Sequence, residues 1–75
     1  MQVPFVTTVS FADRDGSAVL QYGVSAGSET EARSEIERRL INQELYNYSI
    51  LEIRRATSIE AASLDLAAGS IKLLN

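Results

Sequence analysis

Residues 18–40, "AVLQYGVSAGSETEARSEIERRL", change period halfway along, and that change decides the fold. From 18 to 26 the chain alternates. Ala18, Leu20, Tyr22, Val24 and Ala26 point one way, and Val19, Gln21, Gly23 and Ser25 the other. Period two with β-branched and aromatic side chains is a strand. After Gly27 the apolar positions become Ala32, Ile36 and Leu40, four apart, which is one stripe of a helix. Ser28, followed three residues later by Glu31, is a capping box. Glu29 and Glu31 also suit the positive end of the helix dipole. The spacing predicts a helix over about 29–46.

Working back towards the amino terminus, "VPFVTTVSFA" (3–12) alternates as well. Val3, Phe5, Thr7, Val9 and Phe11 share a face, and Val6, Thr8 and Ser10 share the opposite one. Pro4 sits near the strand start, where a missing N–H is tolerated. "DRDGS" (13–17) joins the two strands, and Asp-Gly between alternating runs is a hairpin signal. Asp13 and Asp15 match the opening of a calcium loop, but residues 17–24 supply neither further oxygen ligands nor a closing Glu. The stretch reads as a turn.

Beyond the helix, "YSILEIRRAT" (48–57) is a third strand. Strict alternation places Leu51 and Ile53 on the core face and Tyr48, Ile50, Glu52 and Arg54 on the outer face. Thr57 and Glu60 form a second possible capping box, ahead of a short helix with Ile59, Ala62 and Leu66 at helical spacing and Gly69 at its end. "SIKLL" (70–74) reads as a short fourth strand. The expected fold is α+β: a ββαβ core with a small, mostly antiparallel sheet in the order 2-1-3. One long helix covers one face, and a short helix and strand follow. The whole chain reads as one domain, with 58–75 an extension that packs in cis or on a partner.

Composition limits the function. Seventy-five residues make one domain with a thin core. Neither cysteine nor histidine is present, which removes the thiolate as nucleophile or metal ligand and, with histidine, the commonest general base and metal ligand. No carboxylate pair stands out as an acid/base couple, so no catalytic residue, no metal site and no cofactor is expected. Seven basic against ten acidic residues give a net charge of −3, a field that opposes nucleic acid and anionic membranes. No apolar run approaches the roughly 20 residues that span a bilayer, and the amino terminus lacks the pattern of a signal peptide. A cytoplasmic protein with no membrane association is the expectation.

Two surfaces then compete for a role. The arginines Arg33, Arg38, Arg39, Arg54 and Arg55 are the residues of a phosphate-gripping, nucleic-acid-binding alternative. Their spacing favours a solvated surface instead. Glu29 precedes Arg33 by four, Glu35 precedes Arg39 by four and Arg38 by three, and such helix pairs are each worth roughly 0.2–0.5 kcal/mol. Arg54 and Arg55, adjacent on a strand, point to opposite faces. Apolar side chains without an evident cover are the stronger signal. Val6, Val19, Ile50 and Tyr48 lie on the expected outer sheet face, and Ile41 and Leu45 form a second helix stripe opposite Ala32. The leading expectation is a non-catalytic protein-interaction module, self-associating as a homodimer or binding another protein.

Overall fold

In a computed structural model, which describes residues 2–13, 16–45, 47–64 and 70–74, the chain forms six elements in the order ββαβαβ. They are β1 (Val3–Asp13), β2 (Gly16–Ala26), α1 (Glu29–Asn42), β3 (Tyr48–Arg55), α2 (Ser58–Leu64) and β4 (Ile71–Leu73). The loop at 14–15, Leu66 and Gly69 lie outside the described residues. The sheet runs β3-β1-β2-β4, and all three pairings are antiparallel. This is the expected α+β class. The order differs from 2-1-3 only in that β4 joins the far side of β2.

β1 and β2 pair without a slip from Val3↔Ala26 to Asp13↔Gly16. Gly16 has φ +133°, a conformation that glycine adopts and other residues resist. At the other end Ser28 caps α1: its Oγ accepts from the Glu31 N–H at 3.2 Å. The Glu31 carboxylate returns to the Gly27 N–H at 2.8 Å, one residue before the cap. The stripe Ala32, Ile36 and Leu40 is fully buried on the sheet. There it meets Phe5, Val9, Tyr22, Val24 and Ala26.

Two expectations are corrected. The helix ends at Asn42 instead of 46, because Glu44 turns left-handed at φ 61°. The Glu44 N–H then donates to the Ile41 carbonyl and the Leu45 N–H to the Leu40 carbonyl, both at 2.9 Å, which is the Schellman pattern. The chain must turn here to bring Asn47, whose carbonyl accepts from the Ala12 N–H, beside the hairpin. Strand β3 also departs from strict alternation. Thr8 pairs with Glu52 and Val9 with Ile50, so Leu51 is an extra, bulged residue. Without the bulge the core row would be Ser49, Leu51 and Ile53. With it the row is Tyr48, Ile50 and Ile53, all packed against the core, and Leu51 is left exposed. Exchanging Ser for Tyr in that row buries more apolar surface.

Within this core the hydroxyl of Thr7 is fully buried and has no hydrogen-bond partner. Such a group costs stability that an apolar isostere does not. Thr7→Val is therefore expected to stabilise the fold by about 1 kcal/mol, raising Tm by roughly 4–8 °C for a domain of this size. Differential scanning calorimetry checks it. An unchanged or lowered Tm contradicts the reading of Thr7.

Candidate interaction surface

The outer sheet face divides into a covered half and an open half. Over the covered half lies α2. Leu64 is buried and sits on Gly23, so close that a β-carbon there would meet the Leu64 Cδ2 at 2.5 Å. Val6, the cross-strand neighbour of Gly23, is fully buried as well. The exposure expected of Val6 is therefore corrected: its side chain is fully buried within the chain, beside the position that Leu64 covers. The short helix also turns a different side to the sheet than its spacing suggested, since Ile59 and Ala62 are exposed.

The orientation of α2 follows from its clamp. Arg54, on the outer face of β3, donates from both terminal nitrogens to Glu60, at 2.7 and 2.8 Å. Glu60 also accepts from the Thr57 N–H at 2.9 Å, while the Thr57 Oγ1 accepts from the Glu60 N–H at 3.2 Å. The second capping box is thus formed, and it is tied to the sheet. The Arg54 hydrogen bonds, then the Thr57 N–H, pull the Glu60 carboxyl down to about 2. The same hydrogen bonds to Glu60 push the Arg54 guanidinium up; burial opposes them by less, and the charges of Glu60 and of Glu52, at 3.5 Å, add to the rise.

Tyr48 and Ile50 are not on the outer face. The bulge at Leu51 turns both towards α1. The Tyr48 hydroxyl donates to the Glu37 carboxylate at 3.0 Å, joining the start of β3 to the helix. Partial burial, then that bond and the Glu37 charge, raise the phenol above its ordinary value. Both pack, partly buried, against the core beneath α1 and so do not belong to the outer face on which the sequence placed them.

Val19, Ile41 and Leu45 do remain open, at 57%, 49% and 38% exposure. They are not brought together: Val19 lies on the outer sheet face with Gly23, whereas Ile41 and Leu45 belong to the helix side, and of the three it is Leu45 that lines a groove, with side chains that the sequence reading did not single out. The hairpin overhangs the end of α1, and an apolar groove of about 360 Å³ opens there between Phe11, Ala12, Ala18 and Leu20 of the hairpin and Glu44, Leu45 and Asn47. Element lengths carry the missed signal. Strands of eleven residues reach about 36 Å, whereas a helix of fourteen reaches only about 21 Å.

The arginines do not assemble into one site. Arg33 is exposed on α1, and Arg54 is committed to Glu60. Arg55 lies across from Phe5 on the opposite face to Arg54. Arg38 and Arg39 line a separate, more polar cleft of about 310 Å³ with Glu35, Asn42, Ser70 and Ile71. Of the three expected helix pairs, only Glu35–Arg38 closes, at 3.3 Å. Among the described residues no helix is long and apolar enough to cross a membrane, and no three acidic side chains converge as metal ligands would.

Comparison with known proteins returns no matching family model, no matching curated protein and no matching solved structure, so the geometry alone carries the functional reading.

The clamp makes a pH prediction. A carboxyl held at about 2 in the fold, against an ordinary value near 4.5, contributes stability that is complete above pH 4.5 and is lost as pH falls towards 2. Thermal midpoints measured across that interval should fall more steeply for the wild-type chain than for Glu60→Gln, which has no proton to take up. Parallel curves would show that Glu60 is not clamped.

Proposed function

We propose that this chain is a non-catalytic protein-interaction module that self-associates through the overhanging end of its hairpin. The observation that carries the reading is the open groove between Phe11, Leu20 and Leu45, which exposed Ala18 also lines, next to the exposed backbone of β2 at Ser17–Val19. A small domain gains what its own core lacks by burying such a surface against a second copy. The charge pattern supports the same partner. No charged residue occurs from Gly16 to Ser28. Two copies that each carry −3 meet with least repulsion where the surface is neutral.

Catalysis has less to support it. Among the described residues, the groups whose ionisation is displaced, Glu60, Arg54 and Tyr48, are all held in contacts that join elements of the fold. The nucleic-acid alternative relies on arginines that the fold distributes over separate faces. A cytoplasmic location belongs to the same proposal and suits a chain without cysteine.

Sedimentation velocity across a range of protein concentration tests the reading. A reversible monomer–dimer equilibrium is expected. Leu45→Glu, at a half-exposed position that the monomer tolerates, should weaken it by about tenfold or more, as charging the centre of a desolvated contact does. A sedimentation coefficient independent of concentration, up to the millimolar range, would overturn the proposal.

A further inference from the structure

The free edge of β2 has a register of its own. In an antiparallel pair, alternate residues direct both backbone groups to the same neighbour. On β2 the Gln21 carbonyl accepts from the Leu74 N–H at 2.7 Å, and the Ser25 N–H donates to the Ser70 carbonyl at 3.2 Å. Residues 21, 23 and 25 therefore face β4. Since the β1–β2 ladder has no slip, Ser17 and Val19 face the same way. β4 pairs only with Tyr22–Val24. From Gly16 to Leu20, no described strand lies on that side.

The two edges of the sheet differ in kind. β3, at one edge, is interrupted by the Leu51 bulge and carries Glu52, Arg54 and Arg55, features that discourage a further strand. The open part of β2 reads Gly-Ser-Ala-Val-Leu, regular and uncharged. It has none of those protections.

We infer that a second copy of this chain docks on the open β2 edge by antiparallel strand addition, with Ala18 on the two-fold axis. The pairing mode rests on the self-association proposed above. In this register Ser17 faces the partner's Val19, and Val19 faces the partner's Ser17, each pair exchanging both N–H···O bonds. Ala18 meets the partner's Ala18 in the non-hydrogen-bonded position, where Cα atoms approach to about 4.5 Å and a small side chain fits. The neighbouring registers are poorer. An axis on Val19 sets Ser17 against the partner's Gln21, whose carbonyl is already taken by Leu74. An axis on Ser17 carries Val19 past the end of β2 and into the hairpin loop. The same docking brings the two apolar overhangs together, so strand pairing and groove burial belong to one interface.

The chain has no cysteine, so a single introduced thiol reports the axis directly. Ala18→Cys should oxidise to a disulfide dimer about tenfold or more faster than Glu29→Cys, a control at the opposite end of the molecule, because pairing holds the thiols at high effective concentration. Val19→Pro removes an outward N–H while sparing the β1 ladder. It should leave a folded monomer by circular dichroism, whereas Val19→Thr still dimerises. If the wild-type chain dimerises but Ala18→Cys crosslinks no faster than the control, or Val19→Pro dimerises normally, the edge pairing is wrong and self-association uses another surface. If the wild-type chain does not associate at all, both proposals fall. Should either variant lose its fold, the other still decides.

Discussion

A difference in reach organises this molecule. The hairpin strands have eleven residues each, at about 3.3 Å per residue. The helix that covers them has fourteen, at about 1.5 Å. The longest dimension of the molecule is 39 Å, and among the described elements only the hairpin strands, at about 36 Å, approach it. Helix α1 starts at the Ala26 end, is fixed there by the Ser28–Glu31 cap, and runs out well before the loop at 14–15 is reached. The left-handed turn at Glu44 then directs the chain back into β3 instead of extending the cover. Phe11, Ala18 and Leu20 are left beneath an incomplete roof, and the open groove follows from that mismatch.

A similar shortfall acts on the other face and at the edges. Helix α2 is one short element, and among the described residues its packing on the outer face is at Gly23, beside buried Val6. Its hold is polar as well as apolar: Leu64 drops into the space that Gly23 leaves, and Glu60 grips Arg54. β4 reaches only Tyr22–Val24. Each covering element therefore protects the end of the hairpin near Ala26, and each stops short of the other end. The proposed self-association assigns the missing cover there to a second copy, whose neutral β2 stretch matches this one by symmetry.

Much of this was legible in the residues, and the exceptions share a cause. The hairpin, the capped helix and its stripe Ala32, Ile36 and Leu40 are set by local periodicity and capping, which a single sequence displays. The faces of β3 were not readable, because the bulge at Leu51 is selected by tertiary gain: Tyr48 and Ile50 enter the core only if the register slips. Strict alternation has no means of expressing that choice. The early helix end was hidden in the same way, since the left-handed position is a glutamate, Glu44, where glycine would have signalled it. The burial of Val6 did leave a trace. A glycine within a strand, Gly23, marks a place where another group comes close. Comparing strand and helix lengths would have located the overhang before any coordinates were known.

The central claim is that the outward backbone of β2 at Ser17 and Val19, which has no partner strand among the described residues, finds one in a second copy. Amide hydrogen exchange followed by NMR at low and high protein concentration measures this residue by residue. The account predicts that the Ser17 and Val19 amides exchange rapidly in dilute solution and become protected as concentration rises, while Ala18 and Leu20, directed towards β1, are protected throughout. Equal and rapid exchange of Ser17 and Val19 at every concentration would contradict it.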